Sequence, residues 1–424
     1  MVKKKKRKLK KSVVFCLILI FVFIVGVGAF ALLGGDKKNN NSLENNNKNV
    51  LKFNEYMIAT DDIDLFSKSD DGIIDFGKIS ASVVLHLKKY DDTYYKVLDL
   101  DKDYFVKKEK LDVYNDDVII DDRYKNYIVF NENVVTSDNT KFYDEDDKLV
   151  YTINESVSLP IIVKDDDKYG VEFAKRLLYI KKDDCSVIYN HNTDLNNISG
   201  IAALNYHAFY DENNEQEKSE CNTAICHSKK QFREQLDLIK EMNILTLKMK
   251  EVEMYVDGKI QLPKSVILTI DDGGRTQVAI DLLTEYKMYG TIFLVTSWYN
   301  PKDYYKTDYI ELHSHSHNMH NTGDCPNGQG GGIQCLSEEK IQEDLKTARD
   351  LLNQTTYFCY PFYEFNDYSI KMLKEAGFTM AFAGESSRSD NLIKVGGDKF
   401  RLPRFVIVDY TTLNDLKKYF NQMK

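Results

Sequence analysis

The run Val266-Ile267-Leu268-Thr269-Ile270, followed at once by Asp271-Asp272-Gly273, constrains this chain most. Five uninterrupted apolar or β-branched residues read as a strand buried on both faces, which belongs in a mainly parallel sheet. The flanking segments agree with that reading. Val278, Leu282, Leu283 and Tyr286 share one helical face, and Thr291 to Val295 is the next strand. Ser337 is placed to cap a helix with Ile341, Leu345, Ala348 and Leu352 on one stripe. Strands follow at Tyr357 to Tyr360, Met380 to Ala383 and Phe405 to Val408, with a helix from Tyr368 to Ala376 stopped by Gly377. Repeated βα units predict an α/β fold, open or closed into a barrel, with chemistry at the C-terminal strand ends.

Asp271 and Asp272 stand at such an end. Adjacent carboxylates repel, and neither can enter a dry core unpaired. A plain turn is the alternative, since Asp and Gly are common there. The stretch Glu311 to His320, ELHSHSHNMH, changes that balance: four of the eight histidines lie in ten positions at the end of another short strand. Two His and one carboxylate with open positions make a hydrolytic zinc site, and iron, cobalt or nickel suit the same donors. The second carboxylate is then free to act as a general base on water.

The N-terminus carries a basic block, residues 1–12, and then the uncharged apolar run Val13 to Leu33. About 20 such residues cross a bilayer core, so the run predicts a single transmembrane helix with the basic block cytoplasmic and the remainder extracellular. Cleavage at Ala29-Phe30-Ala31, which resembles a signal-peptidase site, is the competing reading. Residues 34–49 form an Asn-rich linker. The net charge is -9 despite that basic start, which argues against nucleic acid as a partner. Outside the cell the close pairs Cys221/Cys226 and Cys325/Cys335 predict disulfides. A zinc site is the rival for the first pair, because His227 follows Cys226. Cys185 and Cys359 read as small buried apolar residues.

Residues 50–199 differ from the rest. Short runs such as Ser82 to Leu85, Tyr94 to Val97 and Asp117 to Ile120 alternate with Asp, Asn and Gly clusters, the pattern of many strands joined by turns. A weak repeat pairs Ile63 to Phe66 and Tyr104 to Lys108 with Thr140 to Tyr143 and Leu178 to Lys182. It predicts two small β-barrels, residues 50–125 and 126–199. In strand rhythm alone they resemble bacterial SH3-like wall-binding domains. A β-rich stalk without a ligand fits equally.

LTIDDG (Leu268 to Gly273), ELHSHSHNMH, YFCYPF (Tyr357 to Phe362) and RLPRF (Arg401 to Phe405) occur in that order. Together they resemble the ordered motifs of the polysaccharide deacetylases, the NodB-homology group or carbohydrate esterase family 4. LNYHAFYD (Leu204 to Asp211) is similar to the branch acting on poly-N-acetylglucosamine. The resemblance covers residues 200–424 and implies a distorted (β/α) barrel, a divalent metal and removal of acetyl groups from a polysaccharide. It assigns Asp271 as base and Asp272 as a metal ligand. The histidine register has two solutions. His313 and His317 fit the usual spacing, whereas aligning the family phrase on Glu311-Leu312 selects His315 and His320, the pair adopted. The resemblance further implies Arg404 in place of the arginine that Cys359 replaces, and His207 as the acid that protonates the leaving amine. It implies Tyr360, Pro361 and Phe362 as the substrate-contacting motif, with the Phe362 backbone N–H toward an oxyanion. Tyr363 and Trp298 are placed to add aromatic faces for sugar rings.

The expected protein is thus a membrane-anchored extracellular deacetylase of N-acetylglucosamine units in peptidoglycan or exopolysaccharide, with zinc the first choice of metal. An O-acetyl esterase on xylan or another wall glycan fits the same residues. A catalytically inactive wall-binding protein is the remaining class, in which the β-rich repeats carry the function.

Overall fold

The computed structural model describes residues 55–69, 72–118, 121–190, 198–304, 306–384 and 391–424. The basic segment, the apolar run predicted to span a membrane and the Asn-rich linker lie outside them. Among the described residues no helix is long and apolar enough to cross a membrane.

Among the described residues fourteen strands precede residue 200. The first seven are β1 (Tyr56–Ala59), β2 (Ile63–Ser69), β3 (Gly72–Ile79), β4 (Val84–Lys89), β5 (Tyr94–Val97), β6 (Tyr104–Lys107) and β7 (Leu111–Val113). The second seven are β8 (Glu132–Val135), β9 (Thr140–Tyr143), β10 (Leu149–Ile153), β11 (Ser158–Lys164), β12 (Lys168–Phe173), β13 (Arg176–Lys181) and β14 (Ser186–Tyr189). Their pairing order is β7-β1-β4-β5-β6-β2-β3, then β10-β9-β13-β12-β11-β8-β14. Adding seven to each label of the first run and reversing the direction yields the second, so the chain uses one topology twice. The weak sequence repeat falls on corresponding ladders: Leu65 opposes Val106, and Tyr143 opposes Tyr179. The two runs join edge to edge where Tyr151 opposes Ile79. Among the described residues no ladder closes either run on itself. Asp117 and Val118, expected in a strand, carry none. Three consecutive polar residues, Asn115 to Asp117, precede Val118, and they favour turns over ladders.

Beyond residue 200 the sheet is parallel. Its strands are β15 (Ala202–Tyr206), the short pair β16 (Ala208–Tyr210) and β17 (Cys226–Ser228), β18 (Leu245–Thr246), β19 (Ser265–Ile270), β20 (Gly290–Leu294), β21 (Ile310–Ser314), β22 (Tyr357–Cys359), β23 (Met380–Phe382) and β24 (Phe405–Val406). Among the described residues β16 and β17 pair only with each other, and the main order is β23-β22-β21-β20-β19-β15-β24. All six residues of β19 are buried, as its composition requires. Around the sheet lie α1 (Glu215–Glu220), α2 (Lys229–Glu241), α3 (Met249–Val256), α4 (Gln277–Tyr286), α5 (Glu338–Leu351), α6 (Asp367–Glu375) and α7 (Leu413–Gln422). Ser337 precedes α5, but its side chain makes no capping hydrogen bond, so Glu338 and Glu339 in the first turn carry the favourable interaction with the helix N-terminus instead. Gly377 has φ +81°, the left-handed conformation expected at a helix end.

The sheet curls into an incomplete barrel, and one segment joins its edges. Leu402 bridges to Phe382 of β23, while Phe405 and Val406 pair with β15. The chain carrying Arg404 therefore crosses from one edge to the other. The β-rich half packs on the α/β half through a shared core. Tyr124, Ile162 and Val163 meet Leu247, Met249, Val252 and Ile260 there.

Candidate metal centre and acid–base site

β19 delivers Asp271 and Asp272 to one strand end and a tight turn separates their directions. Asp272 has φ +71° and Gly273 φ +102°. A Cβ on Gly273 would lie 2.3 Å from Leu294 Cδ1, so only glycine lets the turn pass. Asp is among the few residues that tolerate the left-handed region, and strain of this kind gathers at functional sites.

Asp271 turns inward. It is buried, and Arg404 donates to both carboxylate oxygens, Nη1 at 2.7 Å and Nη2 at 2.9 Å. Arg404 is itself buried; its Nε donates to the Ala383 carbonyl and its Nη2 lies 3.0 Å from the Cys359 sulfur. Burial alone would raise the Asp271 pKa, but the guanidinium and His315 hold it well below the usual carboxylate range. Cys359 Sγ is 3.5 Å from Asp271 Oδ2, and burial pushes its thiol upward. The thiol thus stays neutral beside the ion pair and leaves Arg404 to Asp271.

Asp272 turns outward to two histidines. Its Oδ1 is 3.5 Å from His315 Nε2 and 3.3 Å from His320 Nε2. His315 Nδ1 donates to the Cys359 carbonyl at 2.8 Å, which leaves Nε2 as the lone-pair nitrogen. His320 is fixed by ring contacts with Trp298 at 5.1 Å and Phe362 at 4.3 Å, and among the described residues its buried Nδ1 has no hydrogen-bond partner. The donor atoms of Asp272, His315 and His320 lie within 4.8 Å of one another. Three electron-pair donors converging on one point, with hard and borderline character, fit a divalent cation. Asp271, His315 and Cys359 also lie within that span, but there a cation would meet the Arg404 guanidinium.

The other two histidines of the stretch are engaged elsewhere. His313 is within β21, with Nδ1 2.7 Å from Thr355 Oγ1 and its ring edge-on to Tyr357. His317 Nδ1 is 2.9 Å from Thr296 Oγ1. The end of the strand explains the difference: β21 ends at Ser314, so His313 is still held by the sheet beside Thr355 and Tyr357, while His315 is the first residue past the end and leaves that alternation.

His207 follows β15 and its Nε2 is 3.5 Å from the Tyr363 hydroxyl, which donates to Asn205 Oδ1 at 2.6 Å. Burial lowers the His207 pKa, against the pull of Asp271 and Asp272. Asn205, Tyr363 and the Cys359 carbonyl were not foreseen as supports. The one signal in the sequence was a lone Asn inside the apolar strand Ala202 to Tyr206.

Two expectations need correcting. Tyr360 is fully buried, its hydroxyl donates to the Phe400 carbonyl and its ring stacks on Phe365, so it offers no face to a sugar. Pro361 is buried as well. The backbone reverses there, with φ +56° at Phe362 and +63° at Tyr363. That reversal turns Phe362 toward His320 and leaves Tyr360 in the core. Trp298, 46 % exposed beside His320, is the accessible aromatic.

Both cysteine pairs are disulfides, Cys221–Cys226 and Cys325–Cys335. The second closes the loop that follows His320. Glu364 holds that loop by accepting from the backbone N–H groups of Gln329, Gly330 and Gly331 and from the Gln334 amide.

Residues 259–381 match the family model described as polysaccharide deacetylase. A poly-beta-1,6-N-acetyl-D-glucosamine N-deacetylase of Staphylococcus aureus (strain MRSA252) is 26 % identical over 204 residues, 43 % of this chain and 68 % of that protein. The solved de-N-acetylase from Aggregatibacter actinomycetemcomitans is 19 % identical with a TM-score of 0.42, over 52 % of this chain and 99 % of its own. IcaB from Ammonifex degensii is 19 % identical with a TM-score of 0.42, over 53 % and 97 %. By the family model, residues 259–381 carry a polysaccharide deacetylase domain.

Proposed function

We propose that the chain is a metal-dependent polysaccharide N-deacetylase acting on N-acetylglucosamine units of a polymer. The observation that carries this reading is the pairing of one three-donor cluster, Asp272, His315 and His320, with a separate, ion-paired carboxylate on the neighbouring residue. The name of the Staphylococcus aureus relative supports poly-N-acetylglucosamine as the substrate. Asp272, His315 and His320 would hold the cation, zinc in the first instance, which when bound supplies Lewis acidity toward water and the acetyl carbonyl.

The chain's own groups supply the proton chemistry. Asp271 is ionised, and Arg404 occupies one lone pair on each oxygen, which leaves acceptor capacity for a proton from the attacking water. Arg404 also fixes the carboxylate plane. His207, held near the Tyr363 hydroxyl, passes to the departing amine nitrogen the proton that Asp271 has taken from the water. Trp298 provides the apolar face for a sugar ring. The basic and apolar N-terminal segments and the two disulfides support placement of this domain outside a cell membrane, tethered by its N-terminus.

Acetate release from poly-β-1,6-N-acetylglucosamine, peptidoglycan and chitooligosaccharides tests the reading. Release is expected from at least one of these, lost on chelation and restored by zinc. Release only from acetylated xylan would replace it with an O-acetyl esterase.

A further inference from the structure

Between the two ligand histidines the chain runs His315-Ser316-His317-Asn318-Met319-His320, and the fold of these few residues sets where one ring lies relative to the other. Their path is an uncommon one. Ser316 has φ +72°, the left-handed region, which a residue with a side chain keeps only when its surroundings hold it there. His315 has anchors of its own, its N–H on the Leu294 carbonyl and its ring on the Cys359 carbonyl. The His320 ring has aromatic neighbours instead, so the backbone leading to it decides whether it faces Asp272.

The partners of that backbone can be followed group by group. The Ser316 N–H donates to Ser314 Oγ at 3.1 Å, and the Met319 N–H donates to Ser316 Oγ at 3.2 Å. The carbonyls of Ser316 and His317 accept from the Thr296 and Ser297 N–H groups past β20, and the Met319 carbonyl accepts from the Gly332 N–H. The Asn318 carbonyl accepts from the Asn321 amide. The N–H groups of His317 and Asn318 both go to one side chain, Asp344 of α5, at Oδ1 2.7 Å and Oδ2 2.6 Å.

Asp344 lies in the middle of α5, where Ala is the better helix former and an acid gains nothing from the helix N-terminus. Its mounting is firm. Ile341 and Leu345, on the same helix, are buried in one cluster with Met319 and Phe358. The carboxylate is therefore a fixed pair of acceptors, aimed at two successive N–H groups midway between the ligands.

We infer that Asp344 is a positioning residue of the metal centre: its carboxylate holds the stretch between His315 and His320 in the conformation that brings both rings to Asp272. The inference rests on the metal reading above.

The test compares the full chain with its Asp344→Ala and Asp344→Asn variants, each freed of metal and then titrated with zinc against a competing chelator. Asp344→Ala should bind zinc roughly 10–100-fold more weakly, the usual effect of removing a group that orients a ligand. Asp344→Asn, which keeps the volume and one acceptor, should fall between. Amides 317 and 318 should exchange hydrogen faster in Asp344→Ala before any metal is added. Arg123→Ala is the control for a general loss of stability. It breaks the ion pair with Glu251 of α3, on the side where β21 begins, whereas the metal centre lies past its end, and it should keep wild-type zinc affinity. Wild-type zinc affinity in Asp344→Ala, or in Asp344→Asn should Asp344→Ala not fold, overturns the inference whatever happens to stability. An equal loss of affinity in Arg123→Ala overturns it too, because affinity would then follow stability alone. A wild type that takes up no zinc fails differently: it removes the metal reading itself, and this inference with it.

Discussion

At the scale of single residues, the histidine register is the sharpest question. His315 and His320 converge on Asp272, whereas His313 and His317 are spent on threonine hydroxyls. His320→Ala should weaken zinc affinity by at least roughly 10²-fold, since losing even an outer partner of a ligand costs about 10–100-fold. His317→Ala should retain full metal content. Metal analysis of the two purified variants checks this, and the reverse pattern would move the site to His313 and His317. Spacing alone allowed both pairs. What separates them is where β21 ends and which ring nitrogen the Cys359 carbonyl engages, and neither is written in the His-rich stretch.

Two elements have consequences of their own. The loop after His320 is tied by Cys325–Cys335 and by Glu364, which accepts from three successive backbone N–H groups. Glu364→Ala removes that anchor. Amides 329–331 should then exchange roughly tenfold faster or more, as expected for about 1.4 kcal/mol of lost local stability, and exchange measurements report it directly. The second element is β17, whose His227 is fully buried with Nε2 donating to the Ile407 carbonyl at 3.2 Å. Burial lowers its pKa from 6.5 to about 4. The folded state therefore disfavours the imidazolium, and the unfolded chain binds the extra proton first. The stabilisation is fully present above pH 6.5 and is lost as the pH falls toward 4, on the order of 3 kcal/mol for this group. Chemical denaturation from pH 7 to pH 4 should show that loss, and His227→Gln should lack this share of it. The sequence placed His227 beside a cysteine as a rival zinc ligand. Only the packing of Tyr206 and Phe209 around its ring reveals a core histidine.

For the whole molecule, the link between the β-rich and α/β halves is testable. Arg123, from the connection between the two strand runs, pairs with Glu251 of α3, and both side chains are largely buried. Arg123→Ala takes the countercharge from the largely buried Glu251, which keeps the Tyr127 hydroxyl and the Lys248 N–H as donors; losing the partner of such a pair costs about 3–5 kcal/mol. Equilibrium unfolding should show that loss, with unfolding of the two halves becoming separable. A loss below 1 kcal/mol would mean the pair is solvated. Much of the α/β half was legible beforehand, because a strand buried on both faces must be continuously apolar and a helix must keep one apolar stripe; β19, β20, α4, α5 and α6 follow from those local rules. The doubled strand order was visible only as a faint repeat, since many sequences satisfy the same alternation. The chain by itself determined the inventory: paired carboxylates after β19, histidines after β21, an arginine near the end and close cysteine pairs. Tertiary structure alone decided which of these meet. Arg404 reaches Asp271 because its segment joins the two sheet edges, and Tyr360 is lost to the core because the backbone reverses at Phe362. Contacts between residues more than a hundred positions apart depend on how the sheet curls, and no local spacing encodes that.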